Sequence, residues 1–434
     1  MSQWLIQNGH LIDPANGLDG AFDVRVVNGA VAQVGKGLKP EAGDELINAA
    51  GLIVSPGFID IHCHLREPGQ EAKEDLLTGT ASAAAGGYTT ILTMANTRPV
   101  IDQAIIVEGM KNKIRRDALV RVEITGAVTK GLEGKELAEI GDMAQAGVRA
   151  LSDDGYYVDD GRLMRAALEY ASMFDLPVIS HSEDCCLVAD GVMHEGCVSA
   201  KLGLKGRPAE AENIAVSREL MLAEMTGGHI HIAHVSSKGA VELIRAAKAK
   251  GIKVTAEVTP HHLCLVDKSI ESFDSAFKVN PPLRTNEHIE ALLEGLKDGT
   301  LDAIATDHAP HAYEEKDCEF NEAPCGFAGF ETAFSVLHSR FVETGQWSVQ
   351  DLIAKMTSGP AAAFDWKDRG HLSVGGLADL VLIDPKAKWV VDPDALLTRG
   401  KSCPFSGMHM TGKVVRTMVN GRWVYQDGEI LREC

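Results

Sequence analysis

Positive charge is what this sequence has least of. Its 42 lysines and arginines stand against 61 aspartates and glutamates, a net charge of −19. So acidic a chain argues against nucleic acid or an anionic membrane as its main partner. No apolar run is long enough to span a bilayer, and the first ten residues lack a basic stretch leading into an apolar one. The nine cysteines follow no disulfide framework. A cytoplasmic protein with free thiols is the expectation. Internal repeats and low-complexity segments are also absent. What remains is ordinary globular material: 434 residues, 45% hydrophobic and 24% charged, enough for one large domain and a smaller one.

The two ends of the chain read as β-structure. Residues 5–12 place Asn8-Gly9 between apolar pairs, residues 24–34 repeat the pattern around Asn28-Gly29, and residues 414–424 do so around Asn420-Gly421. Asn-Gly between apolar runs is a hairpin signal. The middle alternates instead. Apolar, β-branched runs near 58–62, 88–94, 119–127, 147–152, 177–181, 229–235, 252–259 and 302–307 are separated by helix-like segments such as 137–146, 163–172, 209–225 and 240–250. Eight strands alternating with helices imply a closed parallel (β/α)8 barrel. The expected division is an α/β TIM-like barrel over 54–368, inserted into a small β-sandwich domain built from 1–53 and 369–434. The stretch 312–329 is long, polar and broken by Pro324, Gly326 and Gly329, so it reads as a mobile loop over the barrel mouth.

A barrel of this kind carries its chemistry at the C-terminal ends of its strands. Polar residues stand there in this sequence: His62 and His64 after the first run, Asn96 after the second, Asp153-Asp154 after the fourth, His181 after the fifth, His234 after the sixth, His261-His262 after the seventh and Asp307 after the eighth. Histidines two apart on an extended backbone point the same way. Imidazole and carboxylate together suit Zn2+. Six candidates, His62, His64, His181, His234, Asp307 and one of Asp153 or Asp154, are too many for one catalytic zinc and fit two metals sharing a carboxylate. His229 and His231 face away from His234 on a regular strand and read as structural, or as supports behind the ligands. For His261 and His262, packing and a place at the substrate's edge both stay open. Cys63 alternates to the far side as a small core residue. Arg66 suits a carboxylate, which its planar fork can hold at two points.

Together these residues resemble the amidohydrolase superfamily, and within it the bacterial dihydroorotases that use two zinc ions. The resemblance rests on Asp60-Ile61-His62-Cys63-His64-Leu65-Arg66-Glu67-Pro68-Gly69, Met94-Ala95-Asn96-Thr97, Ser152-Asp153-Asp154-Gly155, His181-Ser182-Glu183-Asp184, His231-Ile232-Ala233-His234-Val235-Ser236 and Thr306-Asp307-His308-Ala309-Pro310-His311, and covers nearly the whole chain. It implies reversible conversion of (S)-dihydroorotate to N-carbamoyl-L-aspartate by a metal-bridging hydroxide, the third step of de novo pyrimidine (UMP) synthesis. It also implies two Zn2+ per subunit. His62, His64 and Asp307 would hold one and His181 and His234 the other. Asp154 would bridge where many relatives use a carboxylated lysine, with Asp153 as the substitute. Asp307 would shuttle the proton. Arg66, Asn96 and His311 would bind the substrate carboxylate, Asn280 the ring, and Cys325 and Gly326 the substrate through their backbone. His64, a metal ligand, would also border the substrate. A homodimer is the default assembly, and aspartate transcarbamoylase is a partner of some relatives. The competing readings are an allantoinase or dihydropyrimidinase, whose rings lack the carboxylate, and a non-catalytic scaffold subunit, which should have lost metal ligands.

Overall fold

The computed structural model describes residues 3–432. Its centre is eight parallel strands: β1 (Phe58–Cys63), β2 (Tyr88–Thr93), β3 (Arg121–Gly126), β4 (Ala150–Ser152), β5 (Val178–Ser180), β6 (Ile230–Ile232), β7 (Val254–Val258) and β8 (Ala303–Ile304). Strands adjacent in sequence are adjacent in the sheet. The last meets the first just beyond β8, where Asp307 N donates to His62 O (3.0 Å) and His64 N donates to His308 O (2.8 Å). The barrel therefore closes at the end that carries the histidines.

Local sequence explains where the flanking helices begin and end. Asp75 caps Leu76–Ala85 in a reciprocal capping box with Thr78, Asp160 caps Gly161–Ser172 and Ser237 caps Lys238–Ala249. Gly227 (φ 70°) and Gly299 (φ 82°) end Ala209–Thr226 and Asn286–Asp298 in the left-handed region, which favours glycine. Strand residues are buried on both faces, as in other parallel sheets. Ile91, Leu151, Val178, Ile230, Val258 and Ile304 pack against the helices. Alternate residues Leu92, Ala150, Ile179, Ala233, Ala303 and Ala305 form a separate core with Phe364 and Trp366.

Two sheets make up the rest. Four strands (Gln3–Gln7, Asp23–Val27, Ala30–Gly35, Glu45–Asn48) form one, and seven form the other: His10–Asp13, Leu18–Ala21, Ile53–Pro56, Leu380–Val390, His409–Val419, Arg422–Gln426 and Glu429–Ile430. Ile53–Pro56 pairs with Leu380–Ile383, so both ends of the chain enter one sheet. Ile6, Val24 and Val26 share a core with Leu11, Val54, Leu380 and Met418 across the two sheets. The barrel and the small sandwich fed from both termini are thus as the sequence indicates. Two of the Asn-Gly pairs read as hairpin signals are hairpin turns with both residues at positive φ: Asn28-Gly29 (50°, 84°) and Asn420-Gly421 (49°, 73°). Asn8-Gly9 is not. The strands on its two sides join different sheets, so Asn8 (φ 65°) turns the chain from one layer to the other.

The segment 312–329 is pinned. Lys316 Nζ donates to Pro324 O (2.9 Å) and Gly326 O (3.0 Å), Lys278 Nζ donates to Asn321 O (2.7 Å), and Ala328 N donates to Ser402 O (3.0 Å).

Candidate active site

Four imidazoles converge on one carboxylate. Asp154 Oδ1 lies 3.3 Å from His62 Nε2 and 3.6 Å from both His181 Nδ1 and His234 Nε2, while its Oδ2 lies 3.3 Å from His64 Nε2. Two groups among the described residues could hold a metal ion, His62–His64–Asp154 and Asp154–His181–His234, with Asp154 common to both. Asp307 Oδ1 stands 3.2 Å from His64 Nε2 and 3.7 Å from His62 Nε2. All six side chains are buried. His234 (φ 32°), Asp307 (φ 48°) and nearby Arg66 (φ 61°) have left-handed backbones, strain of the kind that concentrates at functional sites.

Burial alone would raise the Asp154 pKa, but His62, His181 and His234 hold its carboxyl well below the ordinary carboxylate range. Burial also opposes the charge on His62, yet Asp154 and Glu257 lift its pKa well above the usual imidazole value. His62 Nε2 and Asp154 Oδ1 face each other with no hydrogen-bond partner among the described residues. Buried polar atoms are almost always satisfied. Nitrogen and carboxylate donors left converging in this way fit a divalent metal of the zinc class.

Asp153 points elsewhere. It accepts hydrogen bonds from Val128 N (2.8 Å), Thr129 N (3.0 Å) and Thr129 Oγ1. Of the two adjacent aspartates, only Asp154 belongs to the metal-ligand groups.

A second ring of residues holds these side chains in place. Glu257, on β7, sits with Oε1 2.6 Å from His62 Nδ1 and Oε2 3.2 Å from His231 Nε2. Against the effect of burial, the two histidines bring its carboxyl down to about 2. A carboxylate accepting from the far nitrogen of a ligating histidine fixes the tautomer and the ring. The chain of contacts continues from His231 Nδ1 to Thr255 Oγ1 (2.8 Å) and on to His229 Nε2 (2.8 Å), so these two histidines lie beneath the site. Asn96 Oδ1 accepts from His64 Nδ1 (2.9 Å). Glu183 Oε2 lies 3.4 Å from His181 Nε2. Asp60 ties β1 to the chain after β8 by accepting from Thr306 N (3.0 Å) and Thr306 Oγ1 (2.5 Å). Burial pushes its carboxyl up to about 7. The roles of Glu257 and Glu183 escape a motif reading. The available signal for Glu257 was a carboxylate inside a short barrel strand, which burial makes costly unless it is paired.

Arg66 and His311 come together. Arg66 Nε donates to Pro310 O (3.0 Å) and its Nη2 lies 3.2 Å from His311 Nε2. That nitrogen also bonds to Cys325 O (2.8 Å), which brings the 325–326 segment to the same corner. Gly326 N donates to Lys278 O (2.9 Å). Burial and the adjacent Arg66 charge take His311 down to about 3. Asn96 Nδ2 donates to Asp154 O (3.3 Å). Asn280 Nδ2 lies 2.9 Å from His181 Nε2. His262 is held by Thr259 Oγ1 (2.7 Å) and Pro281 O (2.9 Å), whereas both ring nitrogens of buried His261 lack a partner among the described residues. His308 accepts from Gly329 N (3.1 Å) and stacks on Phe330, a structural position. A cavity of about 420 Å³ opens beside His181 and Asn280, lined also by Tyr156, Tyr157, Glu183 and Arg207.

A (β/α)8 barrel with histidines and aspartates gathered at its strand ends defines a barrel amidohydrolase. Residues 323–425 match the family model described as Amidohydrolase family, and residues 51–240 match the one described as Dihydro-orotase-like. The dihydroorotase of Syntrophotalea carbinolica is 50% identical over 422 residues, covering 97% of this chain and 99% of that protein. The dihydroorotase of Geobacter metallireducens is 49% identical over the same shares. Among solved structures, an L-hydantoinase (dihydropyrimidinase) from Arthrobacter aurescens superposes with a TM-score of 0.90 at 27% identity, covering 100% of this chain and 98% of that one. A D-hydantoinase (dihydropyrimidinase) from Thermus sp. gives 0.84 at 25% identity, covering 99% and 97%. The chain belongs to the dihydroorotase family and is a hydrolase of cyclic amides. No helix among the described residues is long and apolar enough to cross a membrane.

Proposed function

We propose that the protein opens and closes the ring of (S)-dihydroorotate with two zinc ions per subunit, held by His62, His64 and Asp307 on one side and His181 and His234 on the other, with Asp154 between them. The observation that carries this reading is the Asp154 carboxylate shared by two metal-ligand groups. Bound zinc would polarise the scissile carbonyl and lower the pKa of water. The protein's own groups do the rest. Asp307 accepts a proton from the attacking water and delivers it to the departing ring nitrogen. Arg66 and His311 take the substrate carboxylate, Arg66 as a bidentate donor, with Asn96 as the third contact. Asn280 and the backbone of Cys325 and Gly326 meet the rest of the ring. Glu257 and Asn96 hold His62 and His64 in position, and burial of all six ligands strengthens each electrostatic contact.

Ultraviolet absorbance during ring opening, measured in parallel for dihydroorotate, dihydrouracil and allantoin, tests the assignment. Turnover should be confined to dihydroorotate, because the other rings offer Arg66 no carboxylate. Equal turnover of a carboxylate-free ring would overturn it. A homodimer working in the cytoplasm completes the proposal. Sedimentation gives the subunit number, and co-elution with aspartate transcarbamoylase tests the remaining partner expectation.

A further inference from the structure

Lys316 is a buried ammonium that no carboxylate pairs with among the described residues. Lysine is almost never buried without such a partner. Burial pulls its pKa down to about 8, so its charged form is held there at a cost. A methionine of similar length would fill the space with no charge to desolvate. What the lysine adds is a donor for two carbonyls. Its Nζ bonds Pro324 O (2.9 Å) and Gly326 O (3.0 Å), one on each side of Cys325.

The rest of this turn is engaged as well. Cys325 O lies 2.8 Å from His311 Nε2, which in turn lies 3.2 Å from Arg66 Nη2. Gly326 N donates to Lys278 O (2.9 Å). Gly326 has φ 115°, and a Cβ there would come within 2.7 Å of Ala309 Cβ and Ala309 O, so the turn lies flat against the chain leading to His311. Proline has no N–H. Of the backbone polar groups from Pro324 to Gly326, only the Cys325 N–H has no partner among the described residues. The neighbouring ammonium of Lys278 reaches a different part of the segment, Asn321 O (2.7 Å).

We propose that Lys316 is a positioning residue: by bonding the carbonyls on both sides of Cys325 it holds the turn against His311 and leaves the Cys325 N–H as the one backbone donor the turn offers to an acceptor oxygen of the substrate. The inference rests on the reading of His311 and the 325–326 backbone as substrate contacts.

The experiment reads KM and kcat for dihydroorotate in metal-loaded Lys316→Met, Lys278→Met and His311→Ala, with metal content measured on each. Lys316→Met should raise KM about tenfold, the equivalent of one hydrogen bond lost. Its kcat should change far less and its metal content not at all. Lys278 also lies within electrostatic reach of Cys325. Lys278→Met removes a charge from the same neighbourhood but no bond from the turn, and should leave KM nearly as it was. Equal increases in the two lysine variants would overturn the inference, because positive charge and not the clamp would then govern binding. A normal KM in Lys316→Met beside a raised one in His311→Ala would overturn it too. A normal KM in His311→Ala would remove the reading on which the inference rests, and the inference with it. Should Lys316→Met fail to fold, Lys316→Ala assayed with and without ethylammonium decides: a KM restored toward wild type by the amine upholds the inference, and a KM unmoved by it overturns it.

Discussion

Replacing Glu257 by glutamine should weaken metal binding at the His62 side of the site and leave the His181 side alone. Glu257 is fully buried and touches no proposed substrate contact; its two oxygens meet His62 Nδ1 at 2.6 Å and His231 Nε2 at 3.2 Å. Glutamine keeps the volume and one acceptor but removes the charge. A hydrogen bond to a charged group contributes ~1.5–3 kcal/mol and a neutral one ~0.5–1.5. The difference for the His62 bond, about 1–1.5 kcal/mol, corresponds to a metal affinity lower by about five- to thirteenfold. Alanine also strands the His62 N–H in a dry interior, so about a hundredfold is expected, the upper end for loss of such a supporting group. Competition between the protein and a chromogenic chelator reads the affinity directly. One ion should be lost more readily and the other at the wild-type chelator concentration. Unchanged affinity in both variants would refute the reasoning, as would equal weakening of both ions.

Asp307→Asn should retain most of its metal and lose at least about a hundredfold in turnover, the usual scale for a proton-transfer group; near-normal turnover would remove the shuttle role. Arg66→Ala should raise KM for dihydroorotate by roughly 10- to 150-fold, the equivalent of a charge-assisted pair of ~1.5–3 kcal/mol; an unchanged KM would take Arg66 out of the site. Glu331 gives a pH prediction away from the metals. Burial pushes its carboxyl up to about 7, although Ser82 Oγ, Leu397 N and Thr398 N all donate to Oε1. The folded chain keeps this proton up to about pH 7 and the unfolded chain releases it near the ordinary value of 4.5, so wild-type stability should fall as pH rises between the two. Glu331→Gln should remove that slope and be the more stable form at pH 8, by at most about 3 kcal/mol. Parallel denaturation midpoints for the two proteins from pH 5 to 8 would contradict it.

The barrel was legible because its evidence is local. Apolar β-branched runs alternate with capped helices, and polar residues interrupt the pattern where strands end, which is how His62, His64, His181, His234 and Asp307 stand out. What depends on the third dimension was not legible. Asp153 and Asp154 are neighbours with opposite facing, and nothing local says which of them meets the histidines. Glu257 becomes meaningful only when β7 is wrapped around to lie near β1. Lys316 sits in a polar stretch with no periodicity to mark it. At Asn8-Gly9 the turn chemistry is present, but partner strands are chosen by the two sheets and not by the turn. Asn96 follows its strand as expected, and its hydrogen bond to His64 Nδ1 is a contact that the strand pattern does not reveal.

The most direct test of the account is a zinc titration of metal-stripped protein with dihydroorotate turnover followed at each step. Because Asp154 belongs to two ligand groups, activity should climb until two zinc ions are bound per chain and then level off, and Asp154→Ala should abolish that endpoint. Full activity at one zinc per chain, or an Asp154→Ala variant that still reaches full turnover at two, would contradict it.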